Sequence, residues 1–178
     1  MKNLETKRLI LRPWEESDFE AVHSYASVLE NVRFMPFGPN SEDETKAFIA
    51  RSIEKNHTDP QTNYVYAISL KKSGVVIGGC EISKSNEFEA SLGWIIHRDY
   101  WKQGFGSELA GTLIKFGFEE LKLHRIYATC DAENYGSYRV MERNKMRREA
   151  HFIKKNFRRG EWRDELVYAI LDVEWAIV

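Results

Sequence analysis

The sequence predicts one α/β domain over residues 1–178, with antiparallel hairpins near both ends and a strand–helix–strand unit between them. Three observations carry this. The strand-like runs 64–70 and 75–83 flank KKSG, and runs of roughly 148–158 and 164–175 flank RRGEW, each a hairpin signal. Between them FEASLGWII (88–96) leads through a glycine-bearing turn into an apolar-periodic helix over 107–122 and on to RIYATCDA (125–132). Finally, 178 residues at 43% hydrophobic and 30% charged suffice for a core without disulfides or metals.

Taken in order, RLILRPW (8–14) alternates as a strand does. SDFEAVHSYAS (17–27) opens on a Ser/Asp cap signal, with Phe19, Val22, Tyr25 and Ala26 at helical spacing. FMPFGPN (34–40) holds two of the four prolines and reads as a loop. Ser41 and Glu44 then form a capping-box pattern, and the helix behind it aligns Phe48, Ile49 and Ile53 on one face. HTDPQTN (57–63) is a second loop. In the central helix Leu109, Leu113, Phe116 and Leu121 recur, with Ile114 and Phe118 widening the stripe. YGSYRVMERN (135–144) is a short helix.

Several classes drop out. No apolar run approaches the roughly 20 residues a membrane span needs. The opening MKNLETKRLILRPW lacks a signal-peptide core, so the cytoplasm is expected. Cys80 and Cys130 lie in apolar strand runs and read as buried free thiols. The five histidines show no metal-ligand spacing, so no metal is expected. Net charge is −1, yet residues 139–163 carry ten Lys or Arg against three Glu. That segment is either a solvated strand face or a docking surface for a phosphorylated ligand or nucleic acid.

The stretch YWKQGFGSE sets Gly104 and Gly106 at the mouth of the central helix. The first N–H groups of a helix lack intrahelical partners, and the dipole adds positive charge there. Bare backbone lets an anion come close, and a phosphate is the natural occupant. Leu109 breaks both the dinucleotide fingerprint and the Walker pattern. A plain tight turn remains the alternative.

The order of strand, YWKQGFGSE, amphipathic helix, strand and ENYGSYRVMERNKM resembles the GNAT superfamily of N-acetyltransferases. More narrowly it is similar to the ribosomal-protein N-terminal (alanine) acetyltransferases. TKRLILRPWEESDFEAV, SLGWIIHRDYW and RDELVYAILDVEW match that branch in order, so the resemblance covers nearly the whole chain. The family loop R/Q-x-x-G-x-G/A corresponds to Trp101–Gly106, with Trp101 at the Arg/Gln position, as is usual in this branch.

The resemblance implies a mixed, mostly antiparallel central sheet flanked by helices, with two central strands splayed apart. It implies acetyl-CoA as donor, its pyrophosphate cradled by the amides of Lys102, Gln103, Gly104, Phe105, Gly106 and Ser107. A backbone N–H at Ile95 or Ile96 would polarise the thioester carbonyl. Asn134 would contact the cofactor arm and Ser137 would protonate the departing thiolate. At one place the chain departs from the pattern: Lys145-Met146 replaces Gly-Phe, setting lysine where a left-handed helix end is normal.

Chemistry adds candidates. Tyr138 and Tyr135 are alternative O–H donors beside Ser137, and Glu81, Glu87 and Glu89 are candidate bases, Glu89 foremost. Trp14, Phe34, Phe37 and Trp94 are candidates for an acceptor slot. The expected partners are acetyl-CoA and an amine: a peptide N-terminus first, a small amine, polyamine or antibiotic-like amine next. Neither membrane nor nucleic acid is expected, and the chain is a monomer or a homodimer through its C-terminal strands. A contrasting reading makes it a nucleic-acid or ribosome-docking module, with Phe152, Phe157 and Trp162 as stacking surfaces in the basic segment.

Overall fold

The computed structural model describes residues 1–175. By its internal contacts the chain divides into two compact units, one of Met1–Ser83 with Trp94–Phe105 and one of Lys84–Gly93 with the residues from Gly106 onward.

In the first unit the strands β1 (Leu4–Glu5), β2 (Leu9–Pro13), β3 (Asn63–Leu70) and β4 (Val76–Lys84) neighbour one another in sequence order. Their pairings are antiparallel, with Leu11 opposite Ile68 and Tyr66 opposite Cys80. The 71–74 tetrapeptide turns β3 into β4 as its sequence predicts, ending on Gly74 at φ +73°. After a short 3-10 turn comes α1 (Phe19–Ala26), and α2 (Leu29–Val32) is a single turn with no counterpart among the expected elements. The helix α3 (Glu42–Lys55) opens on the capping box expected of Ser41 and Glu44. The Glu44 amide donates to Ser41 Oγ at 3.2 Å, and the Ser41 amide donates to Glu44 Oε2 at 2.7 Å. Trp14, Val22, Tyr25, Ala26, Ile49, Val65 and Ala67 form one buried cluster, with Phe37, Phe48 and Ile53 packed against it. Trp14 is thus core, edge-on to Phe48 at 5.7 Å, and the same cluster takes Phe37. Neither behaves as a free wall of an acceptor slot.

The strand β5 (Glu89–Ile96) gives its first five residues to the second unit and its last three to the first. In the second unit the order runs β5, β6 (Arg125–Asp131), β8 (Glu161–Leu171), β7 (Arg147–Arg158). The β5–β6 ladder is parallel and covers four pairs, from Glu89 opposite Arg125 to Leu92 opposite Ala128. β6 pairs antiparallel with β8 along its whole length. Among the described pairings only β5–β6 is parallel. The predicted class, a mixed and mostly antiparallel sheet with flanking helices, is met.

Boundaries moved for local reasons. The central helix, α4 (Phe105–Glu119), starts two residues early, so Gly106 lies inside its first turn, and of the two glycines Gly104 is the left-handed one, at φ +82°. The last strand stops at Leu171, and Asp172–Trp175 forms a single turn, α6, instead of continuing it. The late hairpin turns on two residues, Arg159 and Gly160, at φ +47° and +84°, the positive angles that a two-residue hairpin demands.

The short helix α5 (Tyr135–Arg143) keeps the left-handed end of the family pattern even though lysine replaces glycine there. Lys145 sits at φ +62°, its amide donates to the Glu142 carbonyl at 3.0 Å, and the Met146 amide donates to the Met141 carbonyl at 3.1 Å. This is a Schellman end with lysine at the glycine position. Met146 is 3% exposed and fills the place expected of Phe. Replacing Lys145 by Gly removes a left-handed strain of about 1–2 kcal/mol and adds unfolded-chain entropy worth about 0.4–1 kcal/mol. The expected net gain is therefore small, and a thermal midpoint raised by a few degrees is the check.

Several cations of the basic segment are ion-paired. Arg163 reaches Asp131 at 2.9 Å and Glu133 at 2.6 Å, Arg147 meets Glu149 and Glu174, and Lys155 meets Glu165. Phe152, Phe157 and Trp162 are exposed all the same, so strand alternation does not bury them. On the β7 edge, register shifts at Arg148/Ala150 and Phe152/Asn156 interrupt the ladder.

Candidate active site

In the first unit the candidate loop is tied down from several sides. Asn31, 7% exposed, donates through Nδ2 to the Ile96 carbonyl at 3.0 Å and accepts from the Arg98 amide at 2.7 Å. Trp101 Nε1 donates to the same Ile96 carbonyl at 2.7 Å. Gln103 Nε2 donates to the Asp99 carbonyl at 3.0 Å. The end of β5 and the loop that follows are therefore one braced piece, holding Ile95, Ile96, Lys102, Gln103, Gly104 and Phe105 together. Lys102 itself is left-handed, at φ +60°, and Lys102 and Gln103 are exposed while Phe105 is buried. Behind the strand end, a Cβ on Gly78 would stand 2.1 Å from the Ile95 carbonyl oxygen. Only glycine admits that approach.

The loop delivers the chain into α4, a helix of 15 residues whose first amides have no intrahelical partner. Ser107, in its first turn, has a buried Oγ that finds no hydrogen-bond partner. A buried orphan hydroxyl calls for a ligand or a water. The bare Cα at Gly104 lets an anion such as the pyrophosphate of acetyl-CoA come close to the loop backbone.

One residue that sequence reasoning missed is Arg8. Its Nη1 donates to the Gln103 carbonyl at 2.9 Å, and its guanidinium lies 4.2 Å from the centre of the Phe105 ring. The sequence offers only the run TKRL as a signal. Thr6 Oγ1 accepts from the amides of Arg8 and Leu9, at 3.1 and 2.7 Å, which fixes the backbone there.

In the second unit Asn134 caps α5, its Oδ1 accepting from the Ser137 amide at 3.2 Å. The cap uses the oxygen and leaves the amide N–H groups available to a ligand. Among the described residues no protein group bonds the Ser137 hydroxyl. Tyr138 lies on the same helix but lines an open cavity of about 380 Å³ with Arg139, Glu142, Arg148, His151 and Tyr168. Within it Tyr168 donates to Glu142 at 3.2 Å, and burial raises the Tyr168 hydroxyl. Tyr135 is exposed, edge-on to Tyr138 at 5.1 Å.

Glu89 stands opposite Arg125 and is ion-paired with it, while Arg125 also binds Glu149. The hydrogen bond from Arg125 holds the Glu149 carboxyl below its usual range. Glu89 thus sits in a carboxylate–guanidinium chain running Glu89, Arg125, Glu149, Arg147, Glu174. Both cysteines are free and buried, and burial pushes the Cys130 thiol up to about 12 and that of Cys80 higher. Neither is a nucleophile. No cluster of potential metal ligands occurs among the described residues, and no helix there is long and apolar enough to cross a membrane.

Residues 8–147 match the acetyltransferase (GNAT) domain family. The chain is 37% identical over 174 residues to the uncharacterized N-acetyltransferase YnaD of Bacillus subtilis, covering 97% of this chain and 99% of the relative. It is 23% identical over 170 residues to the spermidine N(1)-acetyltransferase of Escherichia coli, covering 93% and 87% of the two chains. Among solved structures it superposes on a GNAT-family acetyltransferase from Bacillus anthracis with a TM-score of 0.88 at 36% identity, covering 97% and 100%. It also superposes on a ribosomal L7/L12 alpha-N-protein acetyltransferase bound to coenzyme A, with a TM-score of 0.83 at 18% identity, covering 96% and 98%. The chain belongs to the GNAT acetyltransferase family, and acetyl-CoA is its acyl donor.

Proposed function

We propose that the protein transfers acetyl from acetyl-CoA to a primary amine, with a peptide N-terminal amine as the leading acceptor. The observation that supports the donor site is the left-handed Gly104 in the loop braced to the end of β5. The amides of Lys102, Gln103, Gly104, Phe105, Gly106 and Ser107 cradle the pyrophosphate, and an N–H at Ile95 or Ile96 polarises the thioester carbonyl. Asn134 holds the pantetheine arm through its amide group. The neutral amine attacks the carbonyl carbon, the C–S bond breaks, and the Ser137 hydroxyl gives its proton to the thiolate and regains one from the water that takes up the amine's proton. Tyr138 is the alternative donor.

The amine's proton goes to water in this scheme. Glu89 would have to leave Arg125 to take it, so it acts as a strut and not as the base. The peptide acceptor, and with it the ribosomal-protein branch, is supported by the order of motifs along the chain. A polyamine acceptor is the second reading, supported by the spermidine acetyltransferase relative. A cytoplasmic setting belongs to the proposal and is supported by two cysteines that stay unpaired.

One assay tests these roles. Release of CoA is followed with a panel of peptides bearing free or blocked N-termini, and with spermidine, for wild type, Ser137→Ala and Glu89→Gln. Turnover on free N-termini alone is expected. Loss of the Ser137 hydroxyl should lower kcat about 10²-fold, and Glu89→Gln should leave kcat within about twofold. Turnover on spermidine but on no peptide would shift the acceptor to the second reading, and a Glu89→Gln enzyme that is folded but inactive would make Glu89 the base.

A further inference from the structure

We propose that Arg8 is a positioning residue for the acetyl-CoA pyrophosphate, acting through the Gln103–Gly104 peptide. The inference rests on the reading of the Gly104 loop as the donor site.

The geometry is specific. Arg8 touches three consecutive loop residues. It donates to the Gln103 carbonyl at 2.9 Å, it lies 3.4 Å from where a Cβ on Gly104 would stand, and it stacks over the Phe105 ring at 4.2 Å. Its own backbone is held on both sides, by Thr6 Oγ1 at 3.1 Å and by the Lys71 amide, which donates to the Arg8 carbonyl at 2.9 Å.

A trans peptide is planar, with its C=O and N–H pointing in opposite directions. By fixing the Gln103 carbonyl toward itself, Arg8 turns the Gly104 N–H the other way, where it is free to meet an anion. A loop with two left-handed residues, Lys102 and Gly104, needs such a restraint, because several flips of its peptides are open to it. Stacking on Phe105 holds the planar guanidinium in register. Lysine could offer one donor to the carbonyl but not the planar stack. The positive charge beside the loop adds a second, salt-sensitive attraction for the pyrophosphate.

Calorimetric titration with acetyl-CoA tests this on wild type, Arg8→Ala, Arg8→Met and Arg8→Lys, at low and high salt. A lost hydrogen bond from a charged donor should weaken binding about tenfold or more in Arg8→Ala. Arg8→Met keeps a stem on Phe105 but should bind no better than Arg8→Ala. Arg8→Lys should recover part of the loss, and the salt dependence should be shallower without the charge. Circular dichroism and the thermal midpoint should barely move. Unchanged affinity in Arg8→Ala, or equal affinity in the Met and Lys variants, overturns the proposal. A wild type that binds no acetyl-CoA instead overturns the donor site itself, so the wild-type titration separates the two failures.

Discussion

Gly104→Glu is expected to remove acetyl-CoA binding from a protein that still folds. Two effects operate. Any side chain at φ +82° carries a left-handed penalty of about 1–2 kcal/mol. The new carboxylate would also face a pyrophosphate, and two like charges 4 Å apart at an effective dielectric constant of 20 repel by about 4 kcal/mol. The repulsion alone exceeds a hundredfold in affinity, while the strain lowers stability. Gly104→Ala carries the strain without the charge, and its Cβ at 3.4 Å from Arg8 Nη2 can be accommodated, so it should lose stability but keep most of its affinity. Calorimetry on the three proteins reads the difference. If Gly104→Glu binds as the wild type does, the anion lies elsewhere and the loop is only a turn.

The second large effect concerns stability. Gly78→Ala places a Cβ 2.1 Å from the Ile95 carbonyl oxygen and 2.9 Å from the Ile96 Cα. Both neighbours are backbone, so no side chain can swing aside. Either β4 or the end of β5 must move, at a cost on the order of 4 kcal/mol, which lies at the severe end for a single methyl group. A thermal midpoint lower by about 10 °C is expected. Turnover should fall further than stability alone requires, because Ile95 and Ile96 carry the N–H groups assigned to the thioester carbonyl. A variant as stable as the wild type would mean that this end of β5 is free to shift.

What the sequence disclosed, and what it hid, follows from the range of the forces involved. The Ser41–Glu44 capping box was legible because both partners lie within one helical turn. The left-handed helix end at Lys145 was legible only through the family resemblance, which sets glycine where this chain has lysine. The start of α4 was misplaced by two residues because Gly106 reads as a turn former, yet it sits in the first helical turn, where little intrahelical bonding is at stake. Arg8 was illegible: its partner Gln103 lies 95 residues away, and nothing local distinguishes it from a surface arginine. Trp14 and Phe37 were read as possible pocket walls because an aromatic residue has the same signature in a core as in a slot. The ion pair of Glu89 with Arg125 was hidden as well, because it depends on the parallel register of β5 and β6.

The depth at which Cys80 and Cys130 are held has a practical corollary. Thiol-reactive dyes that count liberated coenzyme will see only the product, since the native polypeptide contributes no competing sulfhydryl. By the same token, a cysteine introduced at the exposed Lys102 would be the sole site of labelling, and a fluorophore there would report donor occupancy without any prior removal of native thiols.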